Sequence, residues 1–279
     1  MNILVTGGEG FIGSALVERL IGEGHDVSIL DITSPHPLYH GNITNKWDVD
    51  KALDGIEVVY HLAGASNIDK VKDSPLQTIA SNIMGTANLL HFSVLHNMKR
   101  FIFVSTVYVY DTHGHLYTTT KRCGESLTKD FHTLYNLPYT ILRLGTVYGE
   151  KSRDEDVVSI FAQRALKGLP IIVHGDGSQQ RHFIHISDVI DALISCLSLE
   201  YENATALACA LKPSTILDLA RIVQNAVGQK LAIQIDPAKA RGDDYGGKIL
   251  DEPNCNHFCP RIPMEEGVIK TLEWYRGNP

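Results

Sequence analysis

Tyr117 and Lys121 are the residues of this sequence whose types and spacing most directly suggest chemistry. A spacing of four residues places both side chains on one face of a helix. A neighbouring ammonium favours the phenolate form of a phenol, which would let Tyr117 act as an acid/base near neutral pH. The same pair is common by chance on solvated helix faces, so its interpretation depends on the rest of the chain.

Three glycines spaced by three residues, Gly7, Gly10 and Gly13, lie between an apolar run and a segment of helical periodicity. In this context they predict a dinucleotide site: Gly7 turns tightly, Gly10 admits a pyrophosphate and Gly13 permits close helix packing. The helix that follows Phe11 and Ile12 would present its first N–H groups and a positive dipole end to the phosphates.

An acidic residue, Asp31, ends the second predicted strand, 18 residues beyond Gly13. A carboxylate at this place can accept hydrogen bonds from the adenosine ribose hydroxyls. It also repels a 2′-phosphate, so the sequence favours NAD over NADP.

The elements that must position these residues alternate between strands and helices. Strands are predicted at 2–5, 26–31, 57–64, 100–106 and 139–144, and helices at 14–21, 49–53, 78–95 and 117–135. This alternation predicts an α/β fold with a Rossmann-type doubly wound parallel sheet. Ligands of such sheets lie beyond the carboxyl ends of the strands, where the glycine turn, Asp31, Ala63–Gly64 and Ser105–Thr106 fall.

The alternation loosens after Gly149, which predicts a smaller mixed α/β lobe. Helices are expected at 157–167, 187–199, 216–227 and 265–274, and strands at 170–174, 205–209 and 231–235. Ser214 is the expected N-cap of the third of these helices. We expect residues 1–150 to form the NAD-binding domain, with 183–210 returning to it, and 151–182 with 211–279 to form the substrate-binding lobe.

Composition restricts the class of protein. The 279 residues are 44% hydrophobic and carry a net charge of −7, which disfavours nucleic acids and anionic membrane surfaces as partners. We expect no membrane span and no signal peptide. Five cysteines, an odd number, favour a reduced, cytoplasmic setting. The segment Cys255–Cys259 has metal-ligand residue types, but we expect a loop there and no metal site.

These motifs together resemble the extended short-chain dehydrogenase/reductase family, in its NAD-dependent nucleotide-sugar epimerase/dehydratase branch. The matching segments are spread over nearly the whole chain: Thr6–Gly13, Gly41–Thr44, His61–Gly64, Asn82–Thr86, Phe103–Thr106, Tyr117–Lys121, Leu142–Gly149 and Gly175–Asp188.

The resemblance implies roles for individual residues. Thr106, Tyr117 and Lys121 would be the catalytic residues, with Lys121 also holding the nicotinamide ribose. Further contacts to NAD would come from Asn42, Ile43, Leu62, Ala63, Gly64 and Asn82, and contacts to a nucleotide-diphosphate sugar from Thr146, Arg181 and Arg241. Tyr117 would take a proton from a sugar hydroxyl, and the arginines would grip the diphosphate. A homodimer through the helices at 78–95 and 117–135 is also implied.

The sequence departs from the family pattern in three places. The interval from Thr106 to Tyr117 is short and contains His113-Gly114-His115, which we expect to be exposed and to leave the sugar pocket open. Val107 replaces an acid that sugar 4,6-dehydratases carry after the catalytic threonine, so dehydration is disfavoured. His182 stands where an aspartate is usual, and its role is open.

Three functions therefore remain at this point. The first is a 4-epimerase that acts through a transient keto-sugar, and the second is a reductase of a 4-keto sugar that uses NAD(P)H. The third is a non-catalytic NAD-binding regulatory subunit, which the presence of Thr106, Tyr117 and Lys121 disfavours.

Overall fold

The structure is a computed structural model that describes residues 1–66, 68–111, 115–228, 231–239 and 255–278, with the backbone alone for 68–70. Its strands are β1 (Asn2–Thr6), β2 (Asp26–Leu30), β3 (Val58–His61), β4 (Arg100–Thr106), β5 (Tyr139–Leu144), β6 (Thr146–Tyr148), β7 (Ile171–His174), β8 (Gln180–Arg181), β9 (Phe183–His185), β10 (Ala204–Ala208), β11 (Ser214–Thr215), β12 (Ile233–Asp236) and β13 (Cys255–Phe258).

The α-helices are α1 (Phe11–Gly22), α2 (Lys46–Ala52), α3 (Ile68–Asp73), α4 (Pro75–Ile79), α5 (Thr86–Leu95), α6 (Leu116–Tyr135), α7 (Val157–Leu166), α8 (Ile186–Ser195), α9 (Ile216–Val227) and α10 (Met264–Gly277). A π-helical turn spans Ala80–Gly85, and 3₁₀ turns span Val107–Tyr110 and Leu199–Tyr201. Within the described ranges, no helix has the length and apolarity needed to cross a membrane.

Seven strands form the main sheet in the order β13-β10-β5-β4-β3-β1-β2. The neighbours β2, β1, β3 and β4 pair in parallel. Parallel neighbours end at the same edge of a sheet, so the turns that follow these four strands lie close together. The last residues of the strands are Thr6, Leu30, His61 and Thr106. The predicted α/β fold with a doubly wound parallel sheet is confirmed.

The strands at the centre of this sheet are apolar because they are covered on both faces. Every residue of β3 and of β4 is buried, as parallel strands in α/β folds require. The core around them includes Leu4, Leu30, Val59, Leu89, Leu90, Phe101, Phe103 and Ile141.

The predicted continuous helix at 78–95 is wrong in its middle. The structure has α4, then the π-helical turn Ala80–Gly85, then α5. A π turn places one extra residue in a helical turn and so rotates the side chains that follow. Apolar periodicity does not reveal this insertion, because the segments on both sides keep a normal helical pattern.

Three other predictions need correction. The expected loop at Cys255–Cys259 contains β13, which joins the main sheet beside β10. This pairing depends on a strand that is distant in sequence, so local residue types do not announce it. Helix α1 begins at Phe11, ahead of the expected residue 14, because Gly10 is its N-cap. Helix α8 ends at Ser195, and a separate 3₁₀ turn occupies Leu199–Tyr201.

The chain divides into two compact units. The first contains Met1–Arg143, Ile190–Leu207 and residues 255–257, and the second contains Leu144–Val189 and the described residues of 208–239 and 258–278. The structural boundary precedes the predicted one at residue 150 because β6 pairs with β9, a strand of the second unit. The assignment of the two regions to cofactor and substrate stays a prediction.

The second unit has its own small sheets and its own core. Strand β7 pairs in parallel with β12, and β8 pairs antiparallel with β11. Helices α7, α9 and α10 pack on one another over a core that includes Val158, Phe161, Ile171, Val173, Leu219, Val223, Val268 and Leu272.

Helix α9 begins with a capping box, and its N-cap is Thr215, so the expected cap Ser214 was wrong by one residue. The Thr215 hydroxyl accepts from the Asp218 N–H at 3.0 Å, while the Asp218 carboxylate accepts from the Thr215 N–H and hydroxyl. Two donors at the helix start are satisfied reciprocally in this way.

Removing this cap gives the first prediction. We expect Thr215→Ala to lower the free energy of unfolding by about 1 kcal/mol, because the Asp218 N–H loses its acceptor. Ser214→Ala is the matched control and should change the same quantity by less than about 0.5 kcal/mol. Urea denaturation measures both variants. Equal losses for the two would contradict the assignment of Thr215 as the cap.

Candidate active site

Two glycines of the turn after β1, Gly7 and Gly13, leave no room for a side chain. Gly7 has φ = +73°, and a Cβ there would lie 2.8 Å from the Ala63 nitrogen. A Cβ on Gly13 would lie only 2.0 Å from the Gly7 carbonyl oxygen. The Gly10 N–H donates to that same oxygen at 3.1 Å, which closes the turn. The predicted tight turn at Gly7 is therefore present, and the approach of a pyrophosphate to Gly10 stays a prediction.

The N-terminus of α1 has no hydrogen bond from its N-cap side chain, because the N-cap is a glycine. Gly10 is the N-cap, and the helix starts with Phe11, Ile12 and Gly13. The first N–H groups of a helix have no acceptor within the helix, and they carry the positive end of its dipole. A pyrophosphate satisfies both conditions, so this turn fits the phosphates of a dinucleotide.

Asp31 is held against the glycine turn by hydrogen bonds to both carboxylate oxygens. Oδ1 accepts from the N–H and the hydroxyl of Thr33, each at 2.8 Å. Oδ2 accepts from the Glu9 N–H at 3.1 Å. An ionised carboxylate has about four acceptor sites, so acceptor capacity remains for ribose hydroxyls.

Asn42 and Ile43 shape the turn that leads into α2. The Asn42 side-chain oxygen accepts from the backbone N–H and the hydroxyl of Thr44, each at 2.9 Å. The backbone N–H of Asn42 donates to the Asp48 carboxylate at 2.8 Å. Asn42 is exposed, whereas Ile43 is buried against Gly85. Their predicted contacts to the cofactor stay predictions.

Asn82 clamps the segment that follows β3. Its side-chain oxygen accepts from the Ala65 N–H at 2.7 Å, and its nitrogen donates to the Ala65 oxygen at 2.9 Å and to the Thr120 hydroxyl at 3.0 Å. Gly64 has φ = +154°, and a Cβ there would lie 2.8 Å from the Asn82 oxygen. Asn82 therefore joins Leu62–Ala65 to α6 through protein contacts, and a direct contact to NAD stays a prediction.

A buried histidine, His61, connects β1, β3 and α5. The Thr86 hydroxyl donates to the Asn82 carbonyl at 2.7 Å, so it accepts from His61 Nε2–H at 2.9 Å. His61 Nδ1 then accepts from the Thr6 hydroxyl at 2.8 Å. Burial, aided by the charge of Lys121, lowers the pKa of His61 to about 3. The ring is therefore neutral and acts as a fixed link.

The predicted catalytic residues lie at the carboxyl end of β4 and on the face of α6 that packs against it. Thr106 and Tyr117 are both buried, at 6% and 8% exposure. The Thr106 hydroxyl accepts from the Tyr108 N–H at 3.3 Å and caps the 3₁₀ turn Val107–Tyr110. Its hydrogen remains a donor for a ligand oxygen.

Lys121 follows Tyr117 by one helical turn and is also buried. Its ammonium donates to the Val104 carbonyl at 2.8 Å and lies 4.9 Å from the centre of the Phe103 ring. Burial lowers the pKa of Lys121 from 10.5 to about 8, although the charge of Glu125 opposes this shift. The lysine is therefore cationic at neutral pH but is poised close to its titration.

A buried ion pair behind Lys121 escaped the sequence-based reasoning. Glu125 accepts from Arg143 Nε at 2.9 Å and from Nη2 at 2.6 Å, and both side chains are 7% exposed. The Ser105 hydroxyl also donates to Glu125, at 2.6 Å. Glu125 follows Lys121 by four residues, and that spacing was the available signal. Nothing local indicates that its partner comes from β5.

The second unit contains Thr146 and Arg181, two of the predicted substrate contacts. Thr146 lies in β6, and its N–H donates to the His182 carbonyl at 2.7 Å. Arg181 is half-buried in β8, and its Nη1 donates to the Gln180 carbonyl at 2.9 Å. The third predicted contact, Arg241, lies outside the described residues.

His182, whose role the sequence left open, joins β6 to the segment that follows β10. Its ring Nδ1–H donates to the Ala210 carbonyl at 2.7 Å, and its own carbonyl accepts from Thr146. His113 and Gly114 lie outside the described residues. His115, expected to be exposed, is half-buried and immediately precedes α6.

Comparison with known proteins agrees with this geometry. The sequence pattern of the NAD dependent epimerase/dehydratase family matches residues 3–205, which is most of the chain. The chain belongs to this family. The extended short-chain dehydrogenase/reductase resemblance is therefore confirmed, and the protein is an NAD-dependent enzyme.

Individual members of the family are similar over almost the full chain. A UDP-glucose 4-epimerase of Thermotoga maritima, solved with UDP-glucose, is 27% identical with a TM-score of 0.90, covering 100% of this chain and 99% of that one. A UDP-glucose 4-epimerase of Thermus thermophilus, solved with NAD, is 25% identical with a TM-score of 0.84 and full coverage of both chains. UDP-glucuronic acid decarboxylase 4 of Arabidopsis thaliana is 31% identical, covering 99% of this chain and 69% of the relative.

The residues of this enzyme fit its cofactor. Gly7 and Gly13 exclude side chains, α1 has no side-chain cap on its first N–H groups, and Asp31 holds a carboxylate at the neighbouring strand end. Together these features match a pyrophosphate followed by an unphosphorylated ribose.

The buried lysine gives the second prediction. The pKa of Lys121 is about 8 in the folded protein, whereas its ordinary value of 10.5 applies to the unfolded chain. Between pH 8 and pH 10.5 the unfolded chain therefore binds more protons than the folded protein. Stability therefore rises with pH across this interval, and the full cost of burying the charge is present below pH 8. We expect Lys121→Met to raise the free energy of unfolding of the cofactor-free enzyme by about 2 kcal/mol at pH 7.

Urea denaturation at several values of pH tests this expectation. The difference between Lys121→Met and the wild type should shrink steadily above pH 8. Lys129→Met, an exposed lysine of the same helix, is the control and should show no such trend. A difference that stays constant with pH would contradict the assignment of a lowered pKa to Lys121.

Proposed function

We propose that this enzyme is an NAD-dependent 4-epimerase of a nucleotide-diphosphate sugar, acting through a transient 4-keto sugar. The observation that carries the proposal is the buried face of α6, where Tyr117 and Lys121 lie one turn apart against β4. The cofactor-binding turn ends at the same edge of the sheet as Thr106. Acid/base and redox groups therefore share one edge.

Tyr117 is the proposed acid/base. Its phenolate takes the proton of the sugar 4-hydroxyl, and the ammonium of Lys121 favours that phenolate. The Thr106 hydroxyl donates to the same sugar oxygen and holds it in place. Bound NAD supplies a reversible hydride acceptor for C4. The keto sugar would then turn over, take the hydride back at C4 on its other face and take the proton back from Tyr117, so the product is the C4 epimer and neither protein nor cofactor undergoes a net change.

The segment after Thr106 favours epimerisation over dehydration. Val107 is buried at 5% exposure and Tyr108 follows it, so neither residue supplies a carboxylate. Elimination of water from a keto sugar requires a base that removes the proton from the carbon next to the keto group and an acid that protonates the hydroxyl leaving from the following carbon, in addition to the Tyr117 system. This chain offers Tyr117 and Thr106, which suffice for proton transfer at O4.

Substrate recognition is assigned to the second unit. Arg181 presents a planar guanidinium, which suits a diphosphate because its donors form two parallel hydrogen bonds. Thr146, and Arg241 outside the described residues, complete the proposed set. The Thermotoga maritima relative was solved with UDP-glucose and the Thermus thermophilus relative with NAD, so we propose a UDP-sugar as the substrate.

The proposed assembly is a homodimer through the helical region at 78–95 and α6. Large apolar side chains on these helices are exposed in the single chain, namely Met84, Leu95, Leu134 and Tyr135. Such side chains are common at subunit interfaces, and the dimer stays a prediction.

The choice of cofactor form gives the third prediction. Asp31→Asn removes the negative charge that repels a 2′-phosphate while keeping a side-chain oxygen for Thr33. We expect the ratio of NAD to NADP affinity of the cofactor-free enzyme to fall about tenfold, measured by isothermal titration calorimetry. Asp26→Asn, an exposed change at the start of β2, is the control. An unchanged ratio would refute the role of Asp31.

The reaction itself gives the fourth prediction. The wild type incubated with UDP-glucose should form the C4 epimer, detected by NMR, without net formation or consumption of NADH. Tyr117→Phe should lower kcat by at least about 100-fold, because the proton acceptor is lost, while NAD affinity stays unchanged. Tyr135→Phe, an exposed tyrosine of the same helix, is the control.

Two results would overturn the proposal. Stoichiometric oxidation of NADH with a keto-sugar, and no epimer, would indicate the reductase. Undiminished turnover by Tyr117→Phe would remove Tyr117 from the mechanism. If UDP-glucose is not converted, the same assay is repeated with a panel of nucleotide sugars that differ in the base and in the sugar.

A further inference from the structure

We propose that Tyr108 is a positioning residue for Tyr117, and that its aromatic ring holds the phenol in the orientation needed for proton transfer. The inference deepens the proposed function, since it rests on Tyr117 being the acid/base. It starts from one contact: the ring centroids of Tyr108 and Tyr117 are 6.4 Å apart, and the ring planes are at 76°. This is the edge-to-face arrangement that aromatic pairs prefer.

A helix alone does not determine the direction of the Tyr117 phenol. Long side chains on helices choose between two χ1 rotamers, and the χ2 preference of tyrosine is broad. An edge-to-face neighbour narrows both choices, because only one ring plane preserves the contact. Tyr108 itself is half-buried, which limits the freedom of its ring.

Tyr108 can position another residue only if it is fixed itself, and its backbone is anchored on its N-terminal side. It belongs to the 3₁₀ turn Val107–Tyr110, which is capped where the Tyr108 N–H donates to Thr106 at 3.3 Å. The preceding Val107 side chain is buried at 5% exposure. The turn therefore starts from a proposed catalytic residue and a core residue.

The other end of the turn is anchored by an arginine from β5. Arg143 Nη1 donates to the Tyr110 hydroxyl at 2.9 Å, and its guanidinium lies 4.9 Å from the centre of the Tyr110 ring. Arg143 is in turn held by the buried Glu125. Because Glu125 is on α6, this pair ties the turn to the helix that carries Tyr117.

A second arginine connects the same two elements directly. Arg122, on α6, donates from Nε to the Val109 carbonyl at 2.9 Å and from Nη2 to the Asp111 carbonyl. The backbone on both sides of Tyr110 is thus bonded to α6. Tyr108 and Tyr117 are consequently carried by one hydrogen-bonded frame, and their rings keep a fixed mutual orientation.

Substitutions of Tyr108 distinguish the contribution of its ring to turnover from that of its hydroxyl. Tyr108→Leu keeps much of the volume but removes the aromatic edge, and Tyr108→Ala removes both. We expect each to lower kcat at least about tenfold, with KM changed less than about threefold, because a misoriented acid/base affects the chemical step more than binding. Tyr108→Phe keeps the ring and should retain kcat within about twofold.

The experiment compares these variants with Tyr117→Phe in the NAD-loaded enzyme, using UDP-glucose and NMR. Thermal denaturation and NAD affinity of each variant report on folding, and if one of the Leu and Ala variants fails to fold, the other decides. Wild-type kcat in the folded Leu or Ala variant, with Tyr117→Phe inactive, would overturn the positioning role and leave the proposed function standing. Loss of kcat in Tyr108→Phe would overturn it as well, because the hydroxyl would then be the active part.

Failure of the proposed function has a different signature. If Tyr117→Phe keeps its turnover, then Tyr117 is not the acid/base, and the role of Tyr108 falls with it. Loss of kcat in Tyr108→Leu, retention in Tyr108→Phe and inactivity of Tyr117→Phe together support both conclusions.

Discussion

The burial of one positive charge, the ammonium of Lys121, organises the first unit around the candidate active site. Removing an ammonium from water is costly unless it gains hydrogen bonds and a negative partner. Here the Val104 carbonyl accepts from it, the Phe103 ring lies beside it, and Glu125 faces it from the next turn.

Glu125, which lies further from the candidate active site, needs a partner for the same reason. A buried carboxylate must itself be compensated, and Arg143 and Ser105 do so. Arg143 then has a donor left for Tyr110, which draws the turn after β4 onto α6. Compensation of a single charge thus links β4, β5, α6 and the turn between Thr106 and Asp111 into one frame.

The parts of this protein that could be predicted are those encoded by local pattern. Glycine spacing predicted the turn after β1, and the alternation of apolar strands with helices predicted the parallel sheet. The spacing of Tyr117 and Lys121 predicted that they share one face of a helix. The edge strand β13 and the Glu125–Arg143 pair were not predicted, because each depends on partners distant in sequence. The π-helical turn at Ala80–Gly85 was not predicted, because the segments on both sides of it keep a normal helical pattern. The cap of α9 was missed for a smaller reason, since Ser214 and Thr215 are both good caps and only the geometry separates them.

The glycine turn has a consequence for how cofactor use can change in descendants of this protein. Gly7 and Gly13 offer no side-chain chemistry to selection, because a Cβ at Gly7 would meet the backbone of Ala63 and the approach at Gly13 is too close even for a methyl group. The shape of this turn is therefore a property of the path of the chain, which single substitutions at these two positions can destroy but not adjust. With the NAD site proposed here, variation in cofactor preference falls to the next strand end, around Asp31 and Thr33.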